Sequence, residues 1–518
     1  MVLQPLQLIL KNMLNKIDNF LNKITMYKIV LYYLMLLWVI ALIFSFLGIL
    51  SYTPISMIIS LLIILFVSWS INYLFSYILK VPANTESIYI SVFILALVIT
   101  PALLPNEYIF LGWVAVIAMS SKYIFSIKHK HIFNPVGIAL AITAITINQT
   151  ASWWIGTLVM TPFILIGGLL IVRKIKRTDL TFSFFVVAFV SILYFSFIRG
   201  GDLLNTSYRA LFYSPLLFFT FIMITEPLTT PPSRFLRIIY GVFVGLLFAP
   251  EIHIGSFYLT PEFALIFGNI FSYLIGKKER LTLTLKKSLQ IANGTGEFIF
   301  DGDMPMSFKP GQYLEWTLGH DKVDIRGNRR YFTIASSPTE NEILLGIKFY
   351  PKPSSFKKAL AEMNEGDTII ASQLSGDFVM PSNPRKKLVF IAGGIGITPF
   401  RSMIKYLIDT KRKRDIILIY TNKTEDDIAY KDILNKASEF LNIKIIYIIG
   451  SLNDKTLVWN GRLGHINEKV ILEEIKDFKE RTFYLSGPHS MVSSTEDVLQ
   501  KLGVSSNNIK IDFFPGFA

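Results

Sequence analysis

Two rhythms of hydrophobic and polar positions divide the chain. Up to residue 276 apolar residues run in long blocks, and from the Gly-Lys-Lys-Glu-Arg stretch at 276–280 onward polar and apolar positions alternate as in a water-soluble protein. Ten apolar blocks can be counted, roughly 28–50, 55–79, 87–104, 108–127, 133–147, 153–172, 180–198, 210–225, 238–249 and 263–275. The first two exceed the ~20 residues a helix needs to span a bilayer. The fifth, eighth, ninth and tenth are shorter, which predicts tilted, broken or half-spanning helices whose free backbone groups are satisfied by neighbouring protein. The pattern therefore predicts a polytopic α-helical membrane domain over 28–276 with about ten spans. Before it, LILKNMLNKIDNFLNKI sets Leu10, Met13, Leu14, Ile17, Phe20, Leu21 and Ile24 on one helical face. This predicts an interfacial amphipathic helix within 1–27 and not a cleaved signal peptide.

Beyond residue 280 the period shortens. LTLTLKKS, GEFIFDG, GQYLEWTL, RRYFTIAS and EILLGIKFY read as short alternating strands with Gly and Pro turns, predicting a small antiparallel β-barrel over 281–382. After residue 386 the pattern changes again. KLVFIAGGIGITPFRSMIKYLID reads as a buried strand, a glycine turn and an amphipathic helix, with Thr398 as N-cap and Pro399 at the first helical position. IILIYT, KIIYIIG and TFYLSGP follow as strands separated by helical stretches, which predicts a doubly wound parallel α/β domain over 386–518.

Charge orients the first half. Of the 19 lysines and arginines up to residue 280, 17 lie in the N-terminal arm, in four alternate connections and at the exit. The intervening connections hold only Arg199 and Arg209. By the positive-inside rule both termini and the 281–518 region face the cytoplasm, and the chain crosses the cell (inner) membrane an even number of times. Those 19 basic residues stand against 9 acidic ones, leaving only +4 of the formal net charge of +14 for the rest of the chain. Nucleic-acid binding is rejected on that distribution.

Residue types absent from the chain remove further classes. With no cysteine there are no disulfides, no thiolate-ligated iron–sulfur clusters and no cysteine nucleophile. Only His129, His131 and His253, of six histidines, lie near the apolar blocks, and none forms the stacked pairs that two transmembrane haems require. His129 and His131 read as part of a solvated basic loop, and no metal site is expected.

The glycine turn GGIGITP lets backbone N–H groups approach a pyrophosphate and aims a helix N-terminus at its charge. In its context, residues 281–518 resemble the ferredoxin–NADP reductase superfamily, a flavin-binding barrel joined to a nicotinamide-binding domain. The family pattern Arg-x-aromatic-Ser/Thr matches Arg330, Phe332 and Thr333. The resemblance implies that Arg330 pairs with flavin phosphate, Phe332 packs on the isoalloxazine face and Thr333 hydrogen-bonds near the reactive nitrogen N5. KPSSFKKAL resembles the second flavin-phosphate segment, with Ser354 or Ser355 donating to the pyrophosphate. KPGQY, with Gly311 and Gln312, and SGDF at 375–378 are barrel companions. FAD is implied over FMN by the second serine segment. For NADH or NADPH, Gly394, Gly396, Thr398 and Pro399 would line the pyrophosphate site, with Gly487 and Pro488 beside the nicotinamide. The family commonly has cysteine before that Gly-Pro; here Ser486 stands in its place, and with Thr333 it is the implied catalytic pair. A C-terminal aromatic often covers the flavin in these relatives, which makes Phe514 the candidate, with Phe513 and Phe517 beside it. Asn422 and Lys423, after IILIYT, are where NADH and NADPH would be told apart, and the choice stays open.

The first half is similar to the flavin-carrying membrane subunit shared by the sodium-translocating NADH:quinone reductase and the Rnf electron-transport complex. FNPVGIALAI, GGLLIVRKIKRTDLTFSF and FFTFIMITEPLTTPP followed by RIIYG carry that likeness over about residues 28–275. Those relatives have ten spans and bind a covalent FMN through a Ser-Gly-Ala-Thr motif, which this chain lacks. RALFYSPLLFF offers only Ser214 at the corresponding place. A second, noncovalent flavin or a quinone among the short helices stays open, with Asn134, Glu226, Thr229 and Thr230 as polar contacts or as parts of a wetted loop.

Together the halves imply a membrane-bound NAD(P)H oxidoreductase of the ferredoxin–NADP reductase type. It passes a hydride to FAD and then electrons to a flavin, a quinone or a partner protein. Two other readings are a redox-driven or redox-regulated ion transporter and a reductase merely anchored to the bilayer with a cytoplasmic acceptor.

Overall fold

The computed structural model describes residues 17, 21, 24–79, 85–127, 130–255, 257–275, 281–303, 306–320, 323–324, 327–452 and 459–512. The amphipathic stretch within 1–27 lies almost wholly outside them, as does His129. The chain divides into two compact units, Met1–Lys278 and Glu279–Ala518.

The first unit is helical. Its helices are α1 Met26–Phe46, α2 Pro54–Leu79, α3 Thr85–Val98, α4 Pro105–Ile124, α5 Pro135–Thr146, α6 Thr161–Ile175, α7 Thr178–Ile198, α8 Leu203–Phe212, α9 Leu216–Phe218, α10 Arg234–Leu247 and α11 Pro261–Ile275. The short α9 continues as a π-helical turn, Phe219–Met223. Among the described residues α1, α2 and α7 are long and apolar enough to cross a membrane. Proline opens α2, α4, α5 and α11, where a missing N–H costs nothing.

The block expected over 153–172 becomes helical only at Thr161. Trp153 adopts a left-handed φ of 52°. Its amide donates to the Val98 carbonyl at 2.8 Å, and the Trp154 indole donates to the Ile99 carbonyl at 2.9 Å. The loop thereby caps the carboxyl end of short α3, whose last carbonyls would otherwise be orphaned. Helix α8 is an addition to the expected blocks: LLNTSYRALF carries too many polar residues to read as one of them.

The second unit holds two six-stranded sheets. The antiparallel one consists of β1 Leu281–Ala292, β2 Thr295–Gly302, β3 Tyr313–Thr317, β4 Arg329–Thr333, β5 Ile343–Lys348 and β6 Thr368–Ser375, in the order β4-β3-β6-β1-β2-β5. A seven-residue helix, α12 Ser355–Ala361, precedes β6. Strand β6 escapes the alternating pattern because it is bulged: Gln373 has φ 57° and the register against β3 shifts between Ser372 and Ser375. The edge strands approach each other at one place, where Ala335 N–H donates to the Leu344 carbonyl at 2.9 Å. Gly311, at φ 94°, lets the chain pass the Phe378 carbonyl, which a Cβ would meet at 2.0 Å.

The other sheet is wholly parallel. Its strands are β7 Leu388–Gly393, β8 Ile416–Asn422, β9 Lys444–Ile449, β10 Arg462–Leu463, β11 Thr482–Ser486 and β12 Ile509–Ile511, in the order β10-β9-β8-β7-β11-β12. Helices α13 Thr398–Asp409, α14 Lys431–Leu441, α15 Glu468–Glu474 and α16 His489–Lys501 connect them. Two apolar clusters, one around Phe390, Phe400 and Tyr484 and one around Ile391, Ile419 and Phe483, bury both faces. That is why β7 reads as an uninterrupted apolar run.

Candidate functional site

The arginine pattern and the double-serine segment meet in space. Arg330 lies on β4 with its guanidinium buried: Nη1 donates to the Gly327 and Arg329 carbonyls at 3.0 and 2.7 Å, and Nη2 stands 3.7 Å from Asp324. Its guanidinium covers the Phe356 ring at 5.3 Å, one residue beyond the serine pair. Ser354 caps α12 by accepting the Lys357 amide at 3.3 Å. The Ser355 hydroxyl accepts the Asp324 amide at 3.0 Å and contacts His320 Nε2 at 2.9 Å, while Asp324 Oδ2 accepts the Ser355 amide. Asp324 thus ties the two segments together, and neither it nor His320 carries a sequence motif. Phe332 packs 5.9 Å from Phe356 in the core of the antiparallel sheet, and Thr333 is buried at the end of β4.

The nicotinamide candidates converge at the carboxyl ends of β7 and β11, where ligands of open parallel sheets bind. Ala392 pairs with Ser486 across the two strands. Gly394, at φ 51°, opens a 3₁₀ turn through Ile397, and a Cβ built on it meets nothing within 4 Å, so that backbone face is open to a ligand. A Cβ on Gly396 would meet the Ser486 carbonyl oxygen at 2.3 Å and the Gly487 Cα at 2.6 Å. Pro488 packs against Gly393, and α16 starts directly after it. Thr398 sits one position inside α13, not at its N-cap, because the 3₁₀ turn runs straight into the helix. Its hydroxyl bonds back to the Ile395 carbonyl at 3.2 Å, and Pro399 follows in the first turn. Asn422 ends β8 with its side-chain amide buried, beside the Tyr420 hydroxyl. Lys423 is exposed. Phe513, Phe514 and Phe517 lie outside the described residues.

Ser486 has a partner that its motif does not reveal. Its hydroxyl donates to Asp512 Oδ2 at 2.9 Å. Burial pushes the Asp512 carboxyl up to about 7, against a smaller opposing effect of the serine hydroxyl. The unfolded value is about 3.9, so between roughly pH 4 and pH 7 only the folded chain holds this proton. Stability therefore falls as pH rises through that window. Asp512→Asn is expected to remove that fall, so a plot of melting temperature from pH 5 to 8 declines less in the variant than in the wild type. Parallel curves would show that Asp512 does not titrate there.

In the helical unit Asn134 joins three segments. Its amide N–H donates to Asn269 Oδ1 at 2.8 Å, its Nδ2 donates to Glu226 Oε2 at 2.9 Å, and its Oδ1 accepts the Gly137 amide at the start of α5. The Thr229 hydroxyl reaches Glu226 Oε2 at 3.3 Å, Thr230 bonds to the Glu226 carbonyl at 3.0 Å and to Arg177, and Asn269 Nδ2 donates to Tyr240. Asn134, Thr229 and Thr230 are buried, Glu226 partly so. The four polar residues read from the sequence therefore meet in one hydrogen-bonded cluster. Asn269 and Tyr240 belong to it too, and a lone amide inside the apolar GNIFSYL run was the available signal. Ser214 donates to the Ala210 carbonyl at 2.5 Å and accepts the Leu216 amide at 3.2 Å.

Comparison with known proteins fits this arrangement. Residues 151–282 match the NQR2, RnfD, RnfE family, and residues 390–497 match the oxidoreductase NAD-binding domain family. The glycine betaine monooxygenase reductase subunit of Pseudomonas aeruginosa is 29% identical over 210 residues, covering 40% of this chain and 56% of its own. NADH-cytochrome b5 reductase 1 of Mortierella alpina is 30% identical over 204 residues, covering 38% and 65%. The chain thus spans little more than half to about two thirds of the length of these relatives. Among solved structures, the cytochrome b5 reductase domain of Ulva prolifera nitrate reductase has TM-score 0.40 and 21% identity, over 45% of this chain and 97% of that one. In chain order, a segment similar to the NQR2, RnfD, RnfE family precedes one similar to the oxidoreductase NAD-binding domain family.

Proposed function

We propose that the chain is a membrane-bound NAD(P)H oxidoreductase. It takes a hydride from cytoplasmic NADH or NADPH into FAD and passes electrons through its membrane domain to a second flavin, a quinone or a partner protein. The observation that carries this reading is the contact of the glycine turn with the Ser486-Gly487 turn at the carboxyl ends of adjacent parallel strands. On this reading 28–276 is the transmembrane domain, with about ten spans and both termini cytoplasmic, 281–382 is the FAD barrel and 386–518 the nucleotide domain.

The residues present fit both nucleotides. For FAD, the buried Arg330 fork beside the Ser354–Ser355 segment suits phosphate, and Phe332 and Thr333, buried at the end of the same strand, would border the isoalloxazine. For NAD(P)H, the open face at Gly394, with Gly396, Thr398 and Pro399, receives the pyrophosphate, and the Asn422 amide offers a donor and an acceptor on the adenosine side. Gly487 and Pro488 shape the wall of the nicotinamide pocket, and Ser486, steered by Asp512, holds the ring edge. A bound FAD would supply a hydride acceptor at this site. The protein's part is alignment: C4 of the nicotinamide and flavin N5 must stand at near-contact distance, with water kept out.

Flavin inventory tests the reading. Full-length protein purified in mild detergent is expected to hold at least one FAD per chain that acid precipitation releases. Protein that folds and binds no flavin would contradict it. A flavin retained on the denatured polypeptide would place a covalent carrier in the membrane domain and return Ser214 to candidacy.

A further inference from the structure

The stretch that carries the flavin arginine continues past β4 as Ile334-Ala335-Ser336-Ser337-Pro338-Thr339-Glu340, and no role above uses these residues. In space this turn grips helix α13, which starts at the glycine turn. Arg401, buried on α13, donates Nη1 to the Ala335 carbonyl at 3.1 Å and takes the Glu340 carboxylate as a fork, with Nη2 to Oε1 at 2.9 Å and Nη1 to Oε2. Next to it Ser402, fully buried, donates to the Ser336 carbonyl at 2.6 Å. Two helical turns further Asp409 accepts the Thr339 hydroxyl at 2.5 Å. The turn is itself braced, because Glu340 Oε2 accepts the Ser337 amide at 2.6 Å.

A second layer backs these contacts. The Tyr430 ring faces the Arg401 guanidinium at 5.7 Å and starts α14 in a left-handed conformation, φ 58°, unusual for a bulky residue. Its hydroxyl lies where a Cβ on Gly346 of β5 would be met at 2.6 Å. Glu297 of β2 stands in the same group, its carboxyl raised by burial and drawn back by Arg401 and the Tyr430 hydroxyl. Buried ion pairs of this kind add little net stability, yet they fix geometry where a hydrophobic contact could slide. Surface decoration would not place an arginine, a serine hydroxyl and a strained tyrosine on the same joint.

We infer that Arg401, with Ser402 and Glu340, is a clasp that sets the register between the flavin strand and the nicotinamide-binding helix. Arg401 is thus a positioning residue for hydride transfer. The inference rests on the proposed oxidoreductase function. Its lever arms are short: Ala335 is two residues beyond Thr333, where β4 ends, and Arg401 is one helical turn beyond Thr398 on the same helix. A shift at the clasp is therefore delivered almost undamped to the two sides of the hydride gap. A misplacement of about 1 Å costs on the order of 100-fold in such a step.

The experiment uses full-length, flavin-loaded Arg401→Lys and Ser402→Ala in detergent, reduced anaerobically by NADH or NADPH in a stopped-flow instrument. Arg401→Lys keeps the charge but loses the two-pronged grip on Glu340. The expected result is a limiting reduction rate lower by about 10- to 100-fold in Arg401→Lys and by a few-fold in Ser402→Ala, with nucleotide Kd and flavin content within about twofold of wild type. A wild-type limiting rate in a flavin-replete Arg401→Lys overturns the clasp. Should that variant lose its flavin, the uncharged Ser402→Ala decides in the same way. A wild type that neither nucleotide reduces is a different failure, which overturns the oxidoreductase reading and the positioning role with it.

Discussion

Replacing Arg330 with alanine is expected to strip the flavin from the protein, lowering FAD from about one per chain to under about a tenth after gel filtration. The guanidinium is buried and held from three sides, by the Gly327 and Arg329 carbonyls, by Asp324 and by the Phe356 ring, so it is fixed before any ligand arrives. Charge-assisted bonds to phosphate are worth about 1.5–3 kcal/mol each, and losing two of them weakens binding by roughly 100-fold or more. Truncation also leaves Asp324 without its cation close to the incoming phosphates, which adds repulsion. Arg330→Lys retains the charge but not the fork and should keep an intermediate share of flavin. Equal flavin content in Arg330→Ala and wild type would remove Arg330 from the site.

The second large effect is expected at Gly396. A methyl group there would lie 2.3 Å from the Ser486 oxygen and 2.5 Å from its carbonyl carbon, and both are backbone atoms that cannot swing away. The Ser486-Gly487 turn must move, and the nicotinamide wall moves with it. Gly396→Ala should therefore retain FAD, held by the other sheet, while reduction by NAD(P)H slows by about 100-fold. Loss of the slow step together with the flavin would show instead that the whole nucleotide domain had come apart.

How far the sequence alone carries depends on the distance over which a feature is encoded. Apolar blocks and strand alternation are local, so the helical unit, the antiparallel strands and the parallel sheet are legible from the period of the pattern. Local exceptions hide what they cap. Trp153 looks like the start of an apolar helix, and its actual service to the carboxyl end of α3 connects residues more than fifty positions apart. Strand β6 loses its alternation to a bulge. In the site, residues inside one motif, such as Arg330, Gly394 and Gly487, can be read because each has a short local signature. Asp324 and Asp512 cannot, because each acts only through a partner that folding brings to it. The clasp is the clearest case: Glu340 and Arg401 are 61 positions apart, and neither is distinctive until the carboxylate is seen in the guanidinium fork. The Asn134–Glu226 bond between α5 and the Glu-Pro-Leu-Thr-Thr segment shows the same limit in the helical unit.

On the proposed function, electrons enter from NAD(P)H at the flavin and leave through the membrane domain. The most direct measurement is anaerobic titration of the full-length protein in lipid nanodiscs with NADH and with NADPH, followed by addition of a lipid-soluble quinone. At least one nucleotide is expected to bleach the flavin absorbance, and the quinone to restore it while itself becoming reduced. Flavin absorbance unchanged by either nucleotide would contradict hydride entry from NAD(P)H.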